Sequence, residues 1–528
     1  MNSKSSRFVA KENLRPNIDR VFSLGVWRVR HSSIFFCSEM DGFRPPPIET
    51  NILSSGKNDI PVNPLAKGMP KKIAVIGMGY VGIPVAALLA NVEGFTVVGV
   101  QRRSKRSGWK IDWLNNGKDP IGGDEPALSE LIARVVKKGS FKVVENISAC
   151  KDADVILIDV QTPTDENRIP RYESLKEVAA EVGKHMHRRT LVIVESTVAP
   201  GTTDNVVKPI LEKASGMKAG KDFYLAFCPE RVMVGRLIKN IMHLPKIVGG
   251  INEESTKRAA ELYSCIVKDR ILLTDALTAE VVKVAENTYR DVNVAFANEV
   301  ALICESLGVD AYKVRELVNT LPNDPSNPAT NPVRNMHFPG GGVGGHCLPK
   351  DPWLLKYGLD TYGKFKFFPK IIVGSREVND HMPAHMVDLL VEALAEHGKT
   401  LKGAKVAILG VAFLENSDDT RNTSSATLFS ELEKRGAKPF LHDPIVRDFE
   451  LPYTSDLDEA VEDADAIILS TRHKEYLKLN LKALKKKLAT PILIDGRNAF
   501  REEDAARAGF TYRGVGKGKT KTRSSGNQ

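Results

Sequence analysis

The chain has 528 residues, too many for one hydrophobic core, and ordinary domain sizes divide it into roughly two to four domains. Hydrophobic residues make up 42% and charged residues 27%, and no apolar run approaches the roughly 20 residues that span a bilayer, so a membrane helix is excluded. The formal charge of +10 is spread along the chain, with a small concentration from Lys517 to Arg523, and suits a small anionic substrate as well as nucleic acid.

Residues 1–69 mix Pro, Ser, Asn and Arg without sustained periodicity and are expected to form a disordered extension, or to lie upstream of a start near Met69. From Lys71 the texture changes: KKIAVIGMGYVGIPVAALLA gives a buried-strand run, a glycine turn and a helix rich in Ala and Leu. Apolar strands follow at 95–100 (FTVVGV), 154–160 (DVILIDV) and 191–197 (LVIVEST), with enough chain between them for crossover helices. That alternation predicts a parallel, doubly wound sheet over 70–270. Within 271–375, TAEVVKVAENTYRDVNVAFANEVALICESLG keeps helical spacing of apolar residues for about thirty positions, which predicts one long helix ending near Gly308. A second α/β texture fills 376–516, with strand runs at 405–413, 438–444, 465–473 and 491–498, and 517–528 reads as a solvated basic tail. The expected fold class is α/β: two Rossmann-like doubly wound domains joined by a long central helix.

Gly77, Gly79 and Gly82 spell G-x-G-x-x-G between a strand and a helix, with Tyr80 and Val81 inside the turn. In that context glycine permits a tight turn and close approach of backbone to a pyrophosphate at the helix N-terminus. The acidic residue that would hold ribose hydroxyls about twenty positions later is replaced by Gln101, followed by Arg102 and Arg103. These arginines either accept a ribose 2′-phosphate, which would favour NADP over NAD, or stand solvated. Five glycines precede His346 and Cys347 in PGGGVGGHCLPKDPW, so this thiol sits on a loop that backbone can bring close to a ligand. Lys350 and Asp351 follow within one turn, and the cation is expected to lower the thiol pKa. On the long helix, Glu280, Lys283 and Asn287 share one face. The six cysteines lie far apart and form no CxxC pair, so neither a zinc site nor a disulfide framework is indicated, and a reducing, cytoplasmic setting is expected.

Taken together, GMGYVG (77–82), QTPTD (161–165), ESTVAPGT (195–202), CPERV (228–232), AEVVKVAENTYRD (279–291), GGVGGHCLPKDPW (341–353), DDTRN (418–422), HDP (442–444) and DGRN (495–498) resemble the UDP-glucose/GDP-mannose dehydrogenase family over about 71–516. The PERV and GGHCLPKDPW variants look like the branch acting on UDP-N-acetylmannosamine; UDP-glucose and UDP-N-acetylglucosamine are the alternatives. The resemblance implies an NAD-dependent four-electron oxidation of C6 in which Cys347 captures the aldehyde and later carries a thioester. It gives Lys283 and Asn287 the oxyanion, Asp351 the base or water, and Glu230 the hydrolytic step. It places Thr164, Thr197 and Lys350 at the cofactor, and Arg231, Arg334, His346, Arg421 and Arg497 at the UDP-sugar. It also implies at least a homodimer joined through the long helix, with Arg334 acting in trans. Three positions depart from the family pattern: Leu414 replaces a usual Lys, Gln101 an acid, and Lys246 a frequent Arg. A two-electron hydroxy-acid dehydrogenase would share the first sheet but have no use for Cys347, and a nonenzymatic nucleotide or nucleic-acid binder would need neither Cys347 nor Lys283.

Overall fold

Short runs of Val, Ile and Leu build two sheets in the computed structural model, which describes residues 59–60, 72–104, 107–121, 125–232, 235–320 and 336–518. The first sheet holds β1 (Asp59–Ile60), β2 (Lys72–Ile76), β3 (Thr96–Val100), β4 (Phe141–Val144), β5 (Val155–Ile158), β6 (Leu191–Val194), β7 (Tyr224–Phe227), β8 (Lys246–Gly250) and β9 (Ile271–Asp275). They lie in the order β1-β9-β8-β7-β6-β5-β2-β3-β4. Alternate residues of β2 serve opposite faces, Ile73 and Val75 joining one apolar cluster and Ala74 and Ile76 the other, as a strand covered on both sides requires. Strand order reverses between β2 and β5, and the crevice beyond the carboxyl ends there is where doubly wound sheets take ligands.

Pairing departs from the all-parallel expectation in two places. β7 and β8 are antiparallel, with Phe227 opposite Gly249, and β1 adds antiparallel to β9 through Asp59 and Leu272. The connection 228–245 therefore leaves and re-enters the sheet at one edge, so Glu230 and Lys246 arrive at the same place from its two ends. Asp59–Ile60 also corrects the expectation of a wholly disordered 1–69; the rest of that stretch lies outside the described residues.

The second sheet is parallel throughout: β10 (Lys405–Leu409), β11 (Lys438–His442), β12 (Tyr453–Thr454), β13 (Ala466–Leu469), β14 (Ile492–Asp495) and β15 (Thr511–Gly514), in the order β12-β11-β10-β13-β14-β15. Between the sheets runs the central helix Ala276–Leu307. Asp275 caps its start by accepting from Thr278 N, and Gly308 ends it at φ +72°, a left-handed position that favours glycine. The helix Lys370–Glu396 packs along it. Arg376 on that helix is buried against Asp291 at 2.5 Å, and Asn379 links to Asn298, whose side-chain oxygen accepts Gly340 N at 2.9 Å. The glycine loop is thereby pinned to both helices.

After β15 the chain closes on the central helix: Gly516 N donates to Glu305 at 2.5 Å, Ala311 N donates to Gly516 O at 2.8 Å, and Lys517 bonds Asp310 at 2.6 Å. Lys517 is thus docked, which corrects the reading of a solvated tail from 517; residues 519–528 lie outside the described ones. Among the described residues no helix is long and apolar enough to cross a membrane.

Candidate active site

The dinucleotide turn has the shape that its glycines allow. Gly77 adopts φ +107°, and a Cβ there would lie 2.4 Å from Asp159 O, while a Cβ on Gly82 would lie 2.0 Å from Gly77 O. At Gly79 nothing stands within 4 Å of the Cβ position, so that side of the turn is open at the N-terminus of helix Gly82–Asn91. This cradle fits a dinucleotide pyrophosphate. Gln101 props the turn, its side-chain oxygen accepting Met78 N at 3.1 Å and its amide donating to Ser107 at 3.1 Å. Arg103 holds Glu145 at 2.5 Å and Asp112 at 3.3 Å, and Arg102 lies 3.9 Å from Glu177, so both arginines have carboxylate partners. Thr164 lines an open cleft of about 640 Å³ with Asp165, Glu166 and Arg171, and Thr197 O accepts from Thr162 at 2.6 Å.

Cys347 sits at the end of the glycine loop, where its carbonyl accepts Lys350 N at 3.0 Å and Asp351 N at 2.8 Å and so starts the helix Asp351–Tyr362. Gly345, at φ +95°, packs on Phe413, whose ring a Cβ would meet at 2.9 Å. The face of the central helix predicted from spacing splits its duties. Glu280 is buried and accepts from Gly201 N at 2.6 Å, Thr203 N at 2.8 Å and Thr203 Oγ1 at 2.6 Å, tying down the turn after β6. Lys283 Nζ donates to Glu230 O at 2.6 Å, and Asn287 donates to Asp351 at 2.6 Å. Burial pushes the Cys347 thiol above its ordinary pKa and Asp351 adds to the rise; Lys283, Lys350 and Arg421 pull the other way without reversing it. The expectation of a depressed thiol pKa is therefore corrected, because desolvation outweighs three nearby cations. Burial, with Lys350 and Arg421 beside it, takes His346 down to about 3, so this ring is neutral at working pH.

Around this centre, Arg421 grips Asp419 at 2.5 Å and stacks 4.7 Å over the Tyr80 ring, bringing the second domain onto the dinucleotide turn. Arg231 pairs with Glu286 of the central helix at 3.0 Å. Arg497 donates to Ser470 O at 2.8 Å and Gly342 O at 3.3 Å, so it braces the glycine loop from behind. Lys350 is buried 3.4 Å from Asp351. Arg334 lies outside the described residues.

The sequence reading missed a buried charge cluster. Lys246 Nζ donates to Glu230, to Glu195 at 3.2 Å and to Cys228 O at 3.2 Å, and Tyr263 donates to Glu195 at 2.5 Å. Burial raises the Glu230 carboxyl and Lys246 opposes the rise. The available signal was charge placed where the pattern demands apolar residues: Asp159 and Glu195 end buried strand runs, and Lys246 opens one.

The UDP-glucose/GDP-mannose dehydrogenase family matches the chain in three consecutive segments: its NAD binding domain at 71–267, its central domain at 277–381 and its UDP binding domain at 407–502. A Pyrococcus horikoshii protein named UDP-N-acetyl-D-mannosamine dehydrogenase is 39% identical over 450 residues, covering 85% of this chain and 99% of that protein. A solved NDP-N-acetyl-D-galactosaminuronic acid dehydrogenase from Methanosarcina mazei Go1 is 44% identical with a TM-score of 0.76, covering 86% of this chain and 96% of the other. A UDP-glucose dehydrogenase from Pyrobaculum islandicum is 27% identical with a TM-score of 0.72, covering 86% and 99%. With three consecutive family segments matched and relatives aligned along nearly their whole length, the chain belongs to the UDP-glucose/GDP-mannose dehydrogenase family.

Proposed function

We propose that this NAD-dependent enzyme oxidises C6 of UDP-N-acetyl-D-mannosamine from primary alcohol to carboxylate, releasing the uronate. The observation that carries the reading is the convergence of Cys347, Lys283, the Asn287–Asp351 pair and Glu230 at one place. The mannosamine epimer is favoured by the names of relatives such as the Pyrococcus horikoshii protein. Bound at the Gly77–Gly82 turn, NAD supplies the hydride acceptor for both oxidations. The protein's own groups do the rest. Lys283 faces the oxygen that gains charge as the alcohol becomes an aldehyde, and Asp351, oriented by Asn287, takes the proton through water. Cys347 Sγ then bonds to C6, which keeps the reactive aldehyde in the site as a thiohemiacetal. Oxidation of that adduct leaves a thioester, and water activated by Glu230 breaks the C–S bond, freeing the uronate and restoring the thiol.

His346, Arg231 and Arg421 are assigned to the sugar and diphosphate, with Arg497 acting through the loop it braces; Thr164, Thr197, Lys350, Gln101 and Arg102 belong to the cofactor side. The carboxylate partners of Arg102 and Arg103 favour NAD over NADP. A second copy is expected on the central helix, with Arg334 reaching the neighbouring site. The described cysteines are free thiols, in keeping with a cytoplasmic setting. The test is hydride stoichiometry over a panel of UDP-hexoses. Two reduced cofactors per sugar are expected, and Cys347→Ser should fail to complete the second oxidation; one reduced cofactor per product would overturn the scheme.

A further inference from the structure

Beneath the dinucleotide turn, three carboxyl groups gather around one ammonium. Glu195 follows β6, Asp159 follows β5, Glu230 lies just beyond β7, and Lys246 opens β8. The Lys246 and Glu230 side chains are only 4% and 6% exposed and Glu195 is fully enclosed, so water does little to soften their charges. Tyr263, from the helix Glu253–Tyr263, donates to Glu195 and carries Lys246 4.1 Å over its ring. Cys228 O accepts from Lys246, and Lys283 of the central helix closes the outer side through Glu230 O.

Two oxygens of this cluster have no donor. Asp159 Oδ2 and Glu195 Oε2 are enclosed and unpartnered, and burial, with the charge of Glu195 beside it, pushes the Asp159 carboxyl well above its ordinary value. Ionised carboxylates only accept, so two such oxygens can satisfy each other only when one of them carries a proton. With that proton on Asp159, this carboxyl adds no negative charge to the cluster. Lys246 then divides its ammonium between Glu195 and Glu230 alone among the three carboxyls.

We propose that Lys246 is a positioning residue for thioester hydrolysis: it holds Glu230 ionised and aimed at the acyl group on Cys347, while Asp159 keeps its proton and does not compete for the ammonium. The proposal rests on the reaction assigned above. The antiparallel return at β8 is what makes this contact possible, since a parallel β8 would begin at the opposite edge of the sheet.

The test uses the full-length enzyme with NAD and UDP-N-acetyl-D-mannosamine, comparing the parent with Lys246→Met and Lys246→Arg. In the Met variant the first-turnover burst of reduced cofactor is expected to persist while steady-state turnover falls roughly a hundredfold, the scale of a general-base contribution. Intact-protein mass spectrometry should then find a sugar adduct accumulating on Cys347. The acid limb of the steady-state rate should move to higher pH, because Glu230 without its cation holds a proton longer, and Lys246→Arg should restore both readouts. Equal loss of burst and steady state without an adduct, or no change in either, overturns the proposal. If Lys246→Met fails to fold, Lys246→Met combined with Glu195→Gln removes a carboxyl along with the cation and is read the same way. Infrared difference spectra of the substrate-free enzyme at neutral pH should show a protonated-carboxyl band that Asp159→Asn removes; its absence overturns the protonated Asp159. A parent enzyme without two-equivalent turnover sinks the assigned reaction instead, and the infrared band still decides the cluster.

Discussion

Cys347 shows how a nucleophile can be built with its pKa set against it. Three cations act on the sulfur, yet burial keeps the thiol above its ordinary value, so in the substrate-free protein the thiolate is the minor form near neutrality. Alkylation by iodoacetamide is expected to rise with pH through a midpoint above that of a free cysteine. Lys283→Met, which removes one of the opposing cations, should move the midpoint higher still; a midpoint below the free-thiol value would show that the cations prevail. His346 contributes no acid limb to such profiles, because it is already neutral well above about 3. At this scale the sequence was most informative where chemistry and backbone coincide. A thiol on five glycines and a Lys and Asn one turn apart on a helix can be picked out by spacing alone. The partners of Lys246 could not be, because Glu230 and Lys246 meet only through a strand reversal that no local pattern announces.

The central helix is the element on which most of the site depends. Its start, length and Gly308 stop follow from an apolar repeat and a C-terminal glycine, and the observed Ala276–Leu307 matches that expectation. The strands Phe141–Val144, Tyr224–Phe227, Lys246–Gly250 and Ile271–Asp275 escaped notice, since runs of four or five residues beside polar segments carry too little periodicity. Glu280 gives the helix a pH-dependent tether. Burial raises its carboxyl to about 7, against roughly 4.3 for an unfolded Glu. A raised folded value means that the contribution to stability is complete below about pH 4 and is lost as pH rises through about 7. Glu280→Gln is neutral throughout and lacks this loss. Its melting temperature, measured against the parent's, should therefore climb between about pH 4 and pH 7, starting from a deficit of about 1 kcal/mol for the acceptor lost to Gly201 N. Parallel melting curves across that range would show that Glu280 does not titrate there.

For the whole molecule, the order of the two sheets was legible from alternating strand and helix textures, whereas the contacts between them were not, because each is made by a few polar residues far apart in sequence. Arg421 over Tyr80 is such a contact. The central helix also carries Leu277, Val281, Tyr289, Phe296, Ile303 and Leu307 exposed, at spacings close to whole helical turns, with Tyr289 at 73% and Leu307 at 72% exposure. A stripe of that kind is what a second copy of the chain would cover. Phe296→Glu together with Ile303→Glu should halve the sedimenting mass while leaving the circular dichroism of the fold unchanged; an unaltered mass would place the interface elsewhere. The contacts of Gly516 and Lys517 with Glu305, Ala311 and Asp310 bear on biosynthesis. A nascent chain can complete the first sheet as it emerges, but the end of the central helix cannot be clasped until Gly516 has left the ribosome. The far end of that helix therefore gains its last partners only when translation is all but finished.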